Sequence, residues 1–131
     1  MAGKSRSYTD SVLNVLRGTP LAGITPYVGL FSVAPVDDTD AGTELAGNGY
    51  ARQAITFGAP LTDAGNVRKV SNTNNIQFGP ALLDWPQAVS FGVFASVAGA
   101  LLYWDVLPTP KTVQQDDYGQ FAVGTLVVKE D

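Results

Sequence analysis

The chain has 131 residues, 45% of them hydrophobic and only 15% charged, with a formal net charge of −4. It contains no cysteine and no histidine, which excludes Cys/His and Ser/His/Asp nucleophilic machinery, zinc fingers, thiol redox motifs and any disulfide framework. The acidic balance argues against nucleic acid as a partner, and no apolar run approaches the roughly 20 residues of a helical membrane span.

In chain order, Met1–Ser7 carries charge with no apolar stretch behind it, so no secretory leader is expected. Ser7-Tyr-Thr-Asp10 fits a helix-capping pattern, and Val12, Leu13, Val15 and Leu16 follow at helical spacing. Gly18 and Pro20 stop that helix. At barely three turns it is too short to stand alone in water and must dock on its own domain or on a neighbour.

Beyond Pro26 the pattern changes to short β-branched and aromatic runs separated by turn residues. Tyr27–Val33 is apolar on both parities, as in a strand covered on both faces. Asn48-Gly49 reads as a tight turn, followed by an alternating strand over Tyr50–Phe57. Val67–Ser71 and Asn75–Phe78 read as edge strands. Ala88–Ala95 and Leu101–Val106 flank the turn 97–100 as a hairpin. Gln120–Val123 and Thr125–Lys129 flank Gly124, which suggests a bulge within one bent strand.

Seven or eight short strands at this spacing indicate an all-β sandwich or barrel over residues 27–131, with residues 1–26 as an arm outside it. The expected core is Val28, Leu30, Phe31, Ile55, Phe57, Phe91, Val93, Leu102, Trp104, Phe121, Leu126 and Val128.

Chemistry-bearing residues are sparse. Asp37, Asp38, Asp40 and Glu44 could collect calcium, but the order of an EF-hand loop is not met and a solvated acidic loop is the simpler reading. Asp84, Asp105, Asp116 and Asp117 could form a glycosidase-like dyad, yet each lies beside turn residues that use an Asp side chain structurally. Gly42–Gly49 lacks both the dinucleotide fingerprint and the Walker lysine. Trp85, Tyr103 and Trp104 could stack on sugar, although core packing or subunit contact suits strand aromatics better. No catalytic residue, metal ligand or cofactor site is expected.

Several segments, taken together, resemble a family of small proteins from tailed bacteriophages whose members are often labelled phage tail fibre protein. They are Val15–Thr19, Tyr27–Phe31, Gly42–Gln53, Phe91–Phe94, Leu101–Trp104 and Pro110–Val113, with Gly42–Gln53 the most specific. At the level of size and β architecture the chain also resembles the jelly-roll cement proteins that decorate phage capsids. The resemblance implies a virion structural protein with a jelly-roll-like sandwich and no catalytic motif.

The expected role is a capsid decoration protein on the capsid exterior, bridging the major capsid protein and copies of itself. The alternative is a tail-fibre or receptor-binding module that meets host-surface glycan, and a wall-degrading hydrolase is the third possibility. Candidate partner contacts are Tyr8, Val12, Leu16 and Arg17 on the arm, Asp37, Asp38, Asp40 and Glu44 in the acidic loop, and Tyr50, Arg52 and Tyr103 on the strands.

Overall fold

The computed structural model describes residues 3–36 and 42–130. In chain order these form β1 (Gly3–Lys4), α1 (Arg6–Asn14), β2 (Tyr27–Val33), β3 (Thr43–Glu44), β4 (Gln53–Ala54), β5 (Leu61–Thr62), β6 (Arg68–Ser71), β7 (Ile76–Phe78), β8 (Ala88–Phe94), β9 (Leu101–Lys111), β10 (Gly119–Phe121) and β11 (Val127–Glu130). The strands make three antiparallel sheets: β1-β9-β8-β2-β3 with β4 also on β2, then β10-β7, then β11-β6-β5. The protein is an all-β sandwich with one short N-terminal helix.

Register and strand alternation assign the faces of the large sheet. Val28 and Leu30 of β2 and Phe91 and Val93 of β8 belong to the main core, which they share with Ile76 and Phe78 of β7, Phe121 of β10 and Leu126. Gly29 lies opposite Gly92 across the β2–β8 pair, where the absence of side chains admits neighbouring rings. A Cβ on Gly29 would come within 2.9 Å of Phe94 Cε1, and one on Gly92 within 2.7 Å of Phe31 Cε1.

The β8–β9 hairpin forms as expected, but β9 continues to Lys111, with Leu107 still reaching the core and Lys111 paired with Ala88. Four expectations need correction. The strand over Tyr50–Phe57 shrinks to Gln53–Ala54 plus a single bridge from Phe57 to Asn72, because Tyr50 and Arg52 leave the ladder for side-chain partners. The proposed bend at Gly124 is instead a turn joining two sheets, with β10 on β7 and β11 on β6. Buried Asn72 fixes that corner: its amide donates to Asn74 O and Ala122 O, and its Oδ1 accepts from Leu126 N. The helix is capped by Ser5 rather than Ser7, since the Ser5 hydroxyl accepts from Tyr8 N at 3.1 Å. The arm, finally, does not lie wholly outside the sandwich, because Gly3–Lys4 extends the large sheet along β9.

Ten of the expected core residues are buried, while Phe57 and Val128 are partly exposed and pack against the core from its edge. Leu45, Ile76, Phe78, Ala81, Trp85, Ala88, Phe94, Leu107 and Val113 join them. Trp85 is held inside by its indole N–H, which donates to Asn48 O at 2.8 Å.

Candidate interaction surfaces

Three residues expected at a partner surface meet one another instead. Glu44 on β3 is held beside β2 by strand pairing, and the turn at Gly47–Gly49 brings Tyr50 and Arg52 back over it. Arg52 grips the Glu44 carboxylate with two bonds of 2.9 Å, from Nε to Oε2 and from Nη2 to Oε1. The Tyr50 hydroxyl donates to Glu44 Oε2 at 2.6 Å and accepts from Leu30 N at 3.0 Å. Arg52 also donates to Gly99 O at 3.1 Å and lies 3.4 Å from the centre of the Phe94 ring.

Burial, together with the bond to Glu44, pushes the Tyr50 hydroxyl far above its usual range and keeps it a donor. The bond to Glu44 also raises the Arg52 pKa, so the guanidinium stays charged. This cluster is a clamp that fastens residues 43–52 to the large sheet.

A second cluster forms around Tyr103 on β9. Lys4 sits opposite it across the β1–β9 pair, and Ser5 N donates to Leu102 O at 2.8 Å. The Tyr8 ring meets the Tyr103 ring edge-on, with centroids 5.4 Å apart. The Tyr103 hydroxyl donates to Glu130 on β11, whose other carboxylate oxygen accepts from Lys4 Nζ at 2.8 Å. Partial burial works against the Glu130 carboxylate, but the bonds from Lys4 and Tyr103 and the Lys4 charge outweigh it and hold its pKa below the usual carboxylate range. Burial and the Glu130 contact push the Tyr103 hydroxyl upward. The site is therefore a latch holding the arm onto both β9 and the last strand.

Beyond the latch, α1 and the 3-10 turn Val15–Arg17 bury no residue. Val12 is half-covered, whereas Leu13 is 57% and Leu16 85% exposed, and Val15, Leu21 and Ile24 are also exposed. Arg17 is exposed and donates to Asn14 Oδ1 at 3.4 Å. Asp37, Asp38 and Asp40 lie outside the described residues, and Glu44 is engaged by Arg52 and Tyr50. Among the described residues no cluster of acidic side chains forms a metal site.

Three of the remaining acids accept from backbone amides. Asp84 Oδ1 accepts from Gln115 N, Asp105 Oδ1 from Val106 N and Asp117 Oδ1 from Tyr118 N. Trp85 and Trp104 are buried and present no sugar platform.

The arm is thus tied down at β1 and Tyr8 while several of its apolar side chains stand in solvent. Residues 3–129 match the family described as Podophage GP4 fiber I protein gp80. The chain belongs to that family. It is a phage virion structural protein of the fibre type, which agrees with the tail-fibre label carried by the resemblance. The match takes in the first cluster whole, the second except for Glu130, the arm from Gly3 and, Glu130 apart, all eleven strands. No curated protein matches the chain.

The latch residue Glu130 and the structural Asn72 carry no mark in the sequence, and Lys4 reads there only as part of a basic pair. No local pattern points to them, because each makes a bond to a residue 50 or more positions away in the chain.

Proposed function

We propose that the protein is a repeated, non-catalytic subunit of the phage tail-fibre apparatus, joined to its neighbours through the N-terminal arm. The observation that carries this reading is the apolar set Leu13, Val15, Leu16, Leu21 and Ile24, which is exposed on an arm tied to the body at β1, at Tyr8 and, through Thr25 N, at Ala95 O. Exposed apolar side chains grouped on one element mark a protein contact. The fibre description of the family supports the tail in preference to the capsid. The carboxylates that cap turns instead of pairing support a role without hydrolysis. The partners in this reading are copies of the chain and an adjacent virion protein. Neither nucleic acid, membrane nor cofactor is needed.

Capsid decoration is the second reading, favoured by the small β-sandwich architecture. In that case the partner is the major capsid protein on the capsid exterior. Immunogold labelling and quantitative mass spectrometry of purified virions separate the two. Label on the tail, at a copy number that is a small multiple of three or six, is the expected result; hundreds of copies over the head would replace it with decoration. Incorporation of Leu16→Glu chains at a fraction of the wild-type level is expected if the arm makes the contact, and undiminished incorporation would sink that role.

A further inference from the structure

We propose that the arm, residues 3–17, exchanges between copies, so that the arm of one chain seats on the β9 edge of a second copy in the register it adopts within its own chain. This rests on the reading of the arm as a contact element and names its occupant. The contacts that hold the arm all run to the body of the sandwich: β1 to β9, the Tyr8 ring to Tyr103, and Lys4 to Glu130. A second copy presents the same seat, so the chain is complementary to itself.

The connecting segment permits the exchange. Residues 18–26 contain Gly18, Pro20, Gly23 and Pro26; Gly18, Thr19 and Thr25 donate backbone hydrogen bonds there and Pro26 O accepts one from Ile55 N, which leaves 20–24 without a backbone bond. Nine residues reach about 30 Å when extended, far enough to carry the arm to an adjoining body. Within the chain the link holds the arm near its own seat at an effective concentration of order millimolar, so the closed form prevails in dilute solution. Crowding many copies into one assembly shifts the balance to exchange at no loss of arm contacts.

The seat is also specific. Beyond Asp105, the outer part of β9 carries Pro108 and Pro110, which lack the N–H needed to extend the ladder. An added strand therefore finds its place only where β1 now lies.

The register supplies the test. The Ser5 N to Leu102 O bond makes Ser5–Leu102 a hydrogen-bonded pair, so Lys4 and Tyr103 form the non-bonded pair beside it. Cα atoms in such pairs stand about 4.5 Å apart, within disulfide range. The chain has no other thiol. Lys4→Cys,Tyr103→Cys protein is equilibrated under reducing conditions between about 10 µM and about 1 mM, a range spanning the effective concentration of the link. It is then oxidised and resolved on non-reducing gels beside each single variant.

Covalent dimers and larger species that increase with concentration, and are missing from the single variants, are expected. Deleting residues 20–23 prevents closure and should convert nearly all the protein to multimers. Light scattering on the wild-type chain, with both latch residues intact, should show mass rising over the same range. Intrachain cross-links alone at every concentration, or a monomeric wild type and a monomeric deletion variant, would overturn the proposal. The experiment uses purified protein, so it stands apart from whether virions carry the chain on the tail or on the head.

Discussion

The clamp at Glu44, Tyr50 and Arg52 and the latch at Tyr103 use the same chemistry for opposite ends. Each joins a carboxylate, a tyrosine hydroxyl and a cation. In the clamp, Arg52 and Glu44 side chains are 18% and 24% exposed, the arginine binds through two parallel bonds, and an aromatic face lies against the guanidinium. In the latch, a single lysine bond meets a Glu130 side chain that is 46% exposed. Bidentate, partly desolvated pairs hold a fold together, whereas exposed single-point pairs contribute at most about 1 kcal/mol and can open. The first region fixes the body, and the second is the weaker of the two attachments.

The largest effect expected from breaking this contrast belongs to Arg52→Ala, which takes the counter-charge from the half-buried Glu44 carboxylate, leaving it the Tyr50 hydroxyl alone, and bares Phe94. Stability should fall by about 3 kcal/mol, read as a lower urea midpoint with unchanged slope. Gly29→Ala comes next. Its Cβ would stand 2.7 Å from both Glu44 Oε2 and Tyr50 Oη, at the heart of the clamp. A loss of about 2 kcal/mol is expected, and a near-neutral result would show that the clamp can yield.

Tyr103→Phe removes only the bond to Glu130 and should cost about 1 kcal/mol. Hydrogen exchange should quicken at the Ser5 amide while amides in β8 keep their protection. Equal quickening at both would mean that arm and body are one cooperative unit.

Acid gives the mildest and most selective perturbation. The folded pKa of Glu130 lies below its unfolded value, so its contribution is fully present above the unfolded value, near pH 4.3, and is lost as pH falls through the depressed folded one. Asp63, held down by its bonds from Lys129 and from the Ala64 amide, moves in the same direction at the β6–β11 edge. Exchange at Ser5, corrected for intrinsic rate, should therefore be faster at pH 3 than at pH 6. Unchanged protection would remove Glu130 from the latch.

Much of this was legible from local pattern. Periodicity placed Tyr27–Val33 and the 88–106 hairpin, and Gly18 marked the end of the helical arm with its left-handed φ of 86°. These features depend on residues close in sequence. The short partners β1, β3 and β5, two residues each, carry no period to detect and exist because a longer strand lies beside them. Glu44, Tyr50 and Arg52 stood out from the sequence as candidate partner contacts, whereas in the fold they bond to one another. Their partners, however, could not be read from spacing, because the carboxylate meets the guanidinium only once β3 is seated on β2.

By itself, the sequence determined the class of protein: all-β, without thiol or imidazole chemistry, low in charge, and carrying a short amphipathic arm. Composition and periodicity suffice for that, since they decide what can be buried and what chemistry is available. Tertiary structure alone decided which polar residues face inward, where the chain changes sheets at Asn72, and that the arm is fastened at Tyr103 with Leu13 and Leu16 left in water. Those outcomes depend on contacts between residues far apart in the chain, whose geometry is set only when the sheets come together.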